Sequence, residues 1–203
     1  MNSIDFSRLQ PKSTPALALN GLVIGTIGLF RYKKGMVYLC KALGSLRGQF
    51  DFTLLLAGDY FKAEDRQPHE AWFKKYGLAD KTIVTGKIPH ADIADYLQLF
   101  DILVFPSLFS EGCPLSMLEA MAMGKAVIGT RAGAIPEIVR HRENGLLVNS
   151  GSSAEIAEAL KDLAKDADLR ARLAKNAKET VAGMTLEREF SDWLAVYDKI
   201  DNK

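Results

Sequence analysis

Ile102-Leu103-Val104-Phe105-Pro106-Ser107-Leu108-Phe109-Ser110-Glu111-Gly112-Cys113-Pro114-Leu115-Ser116-Met117-Leu118-Glu119-Ala120-Met121-Ala122-Met123-Gly124 runs from an apolar strand through a loop into an apolar helix. The strand, 102–105, is apolar at every position, which is how a strand buried on both faces reads. Pro114 suits the first helical position, where its fixed φ helps and its missing N–H is no loss. The same alternation extends outward in both directions. Apolar or β-branched runs at 22–27, 52–57, 82–84, 102–105, 126–129 and 146–148 give six candidate strands. Helical patterns at 35–44, 70–75, 91–99, 114–123 and 135–140 fall between them. Such alternation predicts an α/β fold, a Rossmann-like doubly wound parallel sheet of about six strands with helices on both faces.

Beyond Val148 the strand signal stops. Ser152 and Glu155 form a capping-box pattern ahead of Ile156, Ala159, Leu160 and Leu163 at helical spacing, and further helices are expected at 169–181 and 186–200. The first 20 residues, with Pro11, Pro15 and scattered polar side chains, have a linker's composition. The expected division is a linker at 1–20, a ligand-binding domain at 21–183 and a C-terminal helix at 184–203.

Composition excludes several function classes. The 203 residues are 48% hydrophobic, enough for one sizeable core, and 26 Lys plus Arg against 25 Asp plus Glu leave a formal charge of +1. No global field therefore favours nucleic acid or anionic lipid, and any anion site must be local. The apolar runs are too short for a membrane span, and Met1 is not followed by a basic-then-apolar signal segment. The two cysteines, Cys40 and Cys113, have no metal-ligand or redox-motif spacing, so a cytoplasmic setting is expected. Cys40, with Val37 and Leu43, reads as core, and Cys113 has no base near it in sequence to make it a nucleophile. Met117, Met121 and Met123 read as packing residues. His69, His90 and His141 lie in surface-type segments and are expected to be solvated.

In an open parallel sheet, ligands bind beyond the carboxyl ends of the strands, where strand order reverses. The loop from Gly28 to Gly35 holds Arg31, Lys33 and Lys34 just before a helix, a composition that suits a phosphate. Its spacing matches neither the dinucleotide fingerprint nor the P-loop, and a solvated basic turn fits it equally. The loop from Pro106 to Pro114 is more specific. Amides of Leu115, Ser116 and Met117 are expected to head the helix and point at the cleft, and Gly112 permits close approach. Glu111 and Glu119 stand roughly 8 to 12 Å apart by helical rise, which is no spacing for a retaining glycosidase pair. Two separated hydrogen-bond acceptors with amides and cations between them suit a ligand with hydroxyls at both ends and phosphate in the middle.

At this loop the sequence resembles the GT-B retaining glycosyltransferases of group 1, specifically their C-terminal donor-binding domain. The resemblance is carried by Glu111 and Glu119 with seven residues between them, by Pro106-Ser107 before and Gly124 after, by Leu55 to Asp59 and Val84 to Ile88, and by Gly133, Ile135, Pro136, Glu137, Asn144 and Gly145. It implies a UDP- or GDP-sugar donor, a hexosyl group transferred with retention to a saccharide or lipid-linked acceptor, and no metal or further cofactor. Glu119 would hold the ribose hydroxyls and Glu111 the donor sugar, with the backbone of Gly112, Cys113, Pro114 and Leu115 around it. Ser116 and Met117 would meet the phosphates, together with Lys34 beside Gly35 and the close turn at Gly28. The family's arginine directly after the glycine is replaced by Leu29, so that role passes to Arg31. Lys87 and Ile88 would meet the base through their backbone.

The resemblance also implies an acceptor-binding N-terminal domain that this chain lacks, which would leave the isolated fragment inactive, and a cytoplasmic enzyme able to sit at the membrane periphery at full length. Trp193, Leu194, Val196 and Tyr197 would face that domain, although most of the stripe is expected to pack on the chain's own core. Two rival readings share the architecture: a catalytically inactive nucleotide-recognition or scaffold module, and a sugar-nucleotide epimerase, against which the paired-glutamate loop speaks.

Overall fold

The computed structural model describes residues 3–109, 112 and 114–201. Six strands, β1 (Leu22–Ile27), β2 (Phe52–Ala57), β3 (Thr82–Val84), β4 (Ile102–Phe105), β5 (Ala126–Thr130) and β6 (Leu146–Val148), form one parallel sheet in the order β3-β2-β1-β4-β5-β6. The chain winds outward from β1 to β3, returns to the centre at β4 and winds outward again. Order therefore reverses between β1 and β4, which pair through Ile24 with Ile102 and Gly25 with Leu103.

Successive side chains of each strand enter opposite layers. Ile24, Leu54, Leu56, Ile102 and Val104 pack beneath α1 (Met36–Ser45), α2 (Arg66–Lys75) and α6 (Ser153–Lys165). Val23, Leu55, Leu103 and Val127 pack against α3 (Ile93–Leu97), α4 (Leu115–Ala122) and α5 (Ile135–Ile138). Period-two burial on both faces explains why these strands read as unbroken apolar runs. Helix α7 (Ala167–Val181) places Leu169 and Leu173 in the first layer and Ala177 and Val181 in the second.

Several boundaries differ from the sequence reading for local reasons. Helix α2 begins at Arg66 rather than at 70 because Pro68 sits in its first turn, where a missing N–H costs no helical bond. Before it, Lys62 and Asp65 close a short 3-10 turn, with the Lys62 amide donating to the Asp65 carboxylate at 3.1 Å. Ser152 caps α6 as expected, accepting from the Glu155 amide at 3.3 Å, but Glu155 itself accepts from the amide and side chain of Asn149 instead of completing the box. Asn144 is fully buried and ties its hairpin, accepting from the Arg140 amide at 2.7 Å and donating to the Ile138 carbonyl at 3.0 Å.

The N-terminal segment meets residues 184–189. The Ile4 amide donates to the Met184 carbonyl at 2.8 Å, and Ser3 bonds Glu189. Ile4 and Leu9 enter the second layer, so the N-terminal segment lies on the core. Helix α8 (Leu186–Asp201) does not pack as most of its stripe was expected to: Trp193 is 52% exposed, Leu194 47%, Val196 45% and Tyr197 58%.

Candidate functional site

The switch point is lined by backbone that glycines bring unusually close. Gly28 follows β1 at φ +131°, and its amide donates to the Ala57 carbonyl at 3.0 Å. Across from it, Gly58 sits at φ +146°, and a Cβ there would fall 1.9 Å from the Gly28 carbonyl oxygen. Gly35, at φ +66°, is pressed likewise on the far side, where a Cβ would lie 1.9 Å from the Pro106 oxygen. The Leu108 amide donates to the Lys33 carbonyl at 2.9 Å, so the loops after β1 and β4 are knit together. The Ser107 carbonyl accepts from Thr130 Oγ1 at 2.7 Å and from Ser150 Oγ at 3.2 Å, which anchors the second loop to its own sheet.

Lys34 ends the short 3-10 turn Tyr32–Lys34 and lines a small recess with Leu29, Phe105, Pro106 and Ser107. Arg31 turns its guanidinium over the Phe61 ring at 3.9 Å, and its Nε is buried with no hydrogen-bond partner among the described residues. Phe30 is buried and meets Tyr60 edge-on at 5.9 Å. His69 belongs to this aromatic group. The expectation that it is solvated is wrong: it is 2% exposed, packed on Trp72 at 4.7 Å, with Nδ1 donating to the Asp65 carbonyl at 2.6 Å. Burial holds the ring's pKa below the ordinary histidine value, and in the neutral ring Nε2 is an acceptor that is buried with no hydrogen-bond partner among the described residues.

Pro114 also departs from expectation. Its ψ of 100° is extended, so it occupies the cap and Leu115 is the first helical residue. The helix begins one residue later because the Pro114 carbonyl is its first acceptor, taking the Met117 amide at 2.9 Å. That bond engages one of the three amides expected at the helix head, leaving Leu115 and Ser116 as its leading residues. Met117 and Met121 are buried, as is Cys40, whose thiol is pushed up to about 12 by burial. Glu111 and Cys113 lie outside the described residues.

One turn into α4, Glu119 faces a pocket of about 150 Å³ that also takes in Leu115, His90, Ile93 and, from the N-terminal segment, Asp5 and Leu9. Its side chain is 14% exposed. Burial pushes its carboxyl above the usual carboxylate range, and the opposing influence is His90, whose Nε2 stands 3.2 Å from Oε1. His90 is exposed but engaged, which sequence reasoning missed: it lies 29 residues away in the loop after β3. Only the packing of that loop beside α4 brings the two together. His141 is exposed as expected, and its Nδ1 accepts from the Leu147 amide at 3.1 Å.

In the same loop Gly86 has φ +76°, Lys87 is exposed and Ile88 packs on the second layer. Thr85 Oγ1 accepts from the Gly58 amide and donates to the Gly86 carbonyl, each at 2.9 Å, joining this loop to the one after β2. Of the expected residues, Lys34 lines one recess and Leu115 and Glu119 line another, while Gly28 and Arg31 belong to the same loop as Lys34. Among the described residues, no three His, Cys, Asp or Glu side chains cluster as metal ligands would. Among the same residues, no helix is long and apolar enough to cross a membrane.

Strand order, parallel pairing and a glycine-built switch point define a Rossmann-like α/β domain. The chain belongs to the family of glycosyl transferases group 1, whose model matches residues 11–180. It is 30% identical over 155 residues to N-acetyl-alpha-D-glucosaminyl L-malate synthase of Bacillus anthracis, covering 76% of this chain and 39% of that protein. Among solved structures, the C-terminal domain of the glycosyl transferase group 1 protein LpcC of Francisella tularensis is 34% identical with a TM-score of 0.74, covering 81% of this chain and 87% of that one. Alr3699/HepE of Anabaena, crystallised with UDP, is 26% identical with a TM-score of 0.79, covering 87% of this chain and 49% of that one. The chain thus spans well under half of the first relative and about half of HepE.

Proposed function

We propose that this chain is the donor-binding half of a retaining hexosyltransferase that uses a UDP- or GDP-linked sugar, its acceptor being a saccharide or a lipid-linked saccharide. One observation carries the reading: loops after β1 and β4, fastened at Gly35 and Pro106, meet at the switch point beside a helix that holds Glu119 in a pocket. The likeness to a UDP-bound structure supports it. Glu119 accepts the ribose hydroxyls, the backbone of Lys87 and Ile88 meets the base, and the amides of Leu115 and Ser116 receive the diphosphate or sugar. Lys34 and Arg31, near the turn at Gly28, stabilise the charge that develops on the diphosphate as the anomeric C–O bond breaks and an acceptor hydroxyl attacks. Gly112, Cys113, Pro114 and Glu111 belong to the sugar end.

An acceptor-binding half completes the enzyme in this reading, and the exposed face of α8 is where it would rest, since Phe190, Trp193 and Tyr197 form an apolar stripe that the described domain leaves uncovered. The setting proposed is cytoplasmic, and the chain alone binds donor without appreciable transfer.

Calorimetric titration with UDP-glucose, UDP-N-acetylglucosamine and GDP-mannose tests this. One donor is expected to bind saturably, with Glu119→Ala and Lys34→Ala each weakening it by roughly ten- to a hundredfold, the range for lost hydrogen bonds to charged groups. A folded chain that binds none of the three supports the scaffold module instead.

A further inference from the structure

His90 stands where two parts of the site touch. It opens the short 3-10 turn His90–Asp92, four residues after Gly86 in the loop proposed for the base, and its Nε2 lies 3.2 Å from Oε1 of Glu119. An ionised carboxylate only accepts, so Nε2 carries the proton and donates. A carboxylate offers about four lone-pair sites, and vicinal ribose hydroxyls occupy two of them. Which two they can reach depends on the carboxylate's rotation, and little else decides that rotation: the terminal torsion of a glutamate is broad, roughly two-fold and soft. A mostly buried carboxylate also favours the neutral acid unless a donor opposes burial, and His90 is that donor.

Resting on the ribose reading of Glu119, we propose that His90 is a positioning residue for donor binding. Its Nε2–H holds Oε1, sets the rotation of the carboxylate and keeps it ionised, so that the remaining lone pairs face the 2′ and 3′ hydroxyls. The arrangement joins two subsites through one loop: a base seated against residues 86–88 steadies the turn that carries His90, and His90 in turn readies the carboxylate for the ribose of the same nucleotide.

The test uses UDP and GDP with their 2′,3′-dideoxy counterparts, titrated by calorimetry into the full chain and into His90→Ala, His90→Gln and Glu119→Gln, each checked for folding by thermal unfolding. His90→Ala is expected to weaken the ribonucleotide by about three- to tenfold, the worth of one hydrogen bond, and to leave the dideoxynucleotide unchanged. His90→Gln, whose amide can also donate to Oε1, restores part of the loss. Equal weakening of both nucleotides, or of neither, overturns the proposal, because a structural or base-contacting role would not depend on hydroxyls. If the wild-type chain prefers the ribonucleotide and Glu119→Gln erases that preference while His90→Ala preserves it, the ribose reading stands and His90 falls. If the wild-type chain shows no such preference, or binds no nucleotide, the ribose reading falls and takes His90 with it.

Discussion

Glu119 is asked to be an anion in a place that disfavours anions. Burial is the larger influence and raises its carboxyl above the ordinary value of 4.5, while His90 draws it back down. In the proposed reading ribose hydroxyls donate to the charged form, so affinity should be level at high pH and fall as pH drops through a value above the usual glutamate range. Groups facing the pocket include His90 and the Asp5–Arg8 pair at 2.8 Å, and a bound diphosphate titrates as well. The control is therefore Glu119→Gln: calorimetry from pH 8 to pH 5 should show a decline in the wild type that is smaller in the variant, and an identical decline in both would remove Glu119 as its source. Among single residues, what could be read in advance was what periodicity carries. Cys40, Met117 and Met121 recur at helical spacing with other apolar residues and are buried. His69 and His90 could not be read, because one is covered by Tyr60 and Trp72 and the other faces Glu119 on helix α4, 29 residues away, and no local pattern announces either contact.

At the scale of elements, strands were more legible than helices. All six strands lie where apolar runs place them, with β5 one residue longer, because burial on both faces writes itself into every position. Helix starts drifted by one to four residues wherever a 3-10 turn or a proline softens the boundary, as at α2, α3 and α4. Within β1, Gly25 shows a constraint invisible in the pattern. A Cβ there would lie 1.7 Å from the Leu55 oxygen, which is backbone and cannot step aside, and 3.0 Å from the Phe100 ring. Gly25→Ala should therefore part β1 from β2 and cost about 3 kcal/mol or more. Urea unfolding would measure it, and a loss below about 1 kcal/mol would mean that β1 can shift to make room.

For the whole molecule, the alternation of strands and helices was enough to forecast the doubly wound sheet and its switch point, whereas the course of the first residues was hidden by their polar, proline-containing composition. They are held by Asp95 on α3, whose Oδ1 accepts from the amides of Lys12 at 2.6 Å and Ser13 at 3.1 Å and whose Oδ2 accepts from Ser13 Oγ at 2.7 Å. The Ser13 hydroxyl, and then the two amides, hold this carboxyl below its ordinary 3.8. For a depressed acid, the contribution is complete above the unfolded value and lost as pH falls through the folded one. Hydrogen exchange should find the Lys12 and Ser13 amides equally protected at pH 5 and pH 8, after allowing for intrinsic rates, and exposed in Asp95→Ala while amides of β1 and β4 keep their protection. Exchange unaltered by the substitution would show that Ile4 and Leu9 suffice to hold the segment. The same segment borders the Glu119 pocket, so its attachment bears on whatever that pocket receives. Beneath the cleft, Gly58 against Gly28 and Gly35 against Pro106 make a floor of peptide planes. Peptide planes are not rewritten by codon changes. Side chains around the rim can be exchanged without touching that floor, whereas any side chain gained at 35 or 58 would collide with backbone that has no room to give.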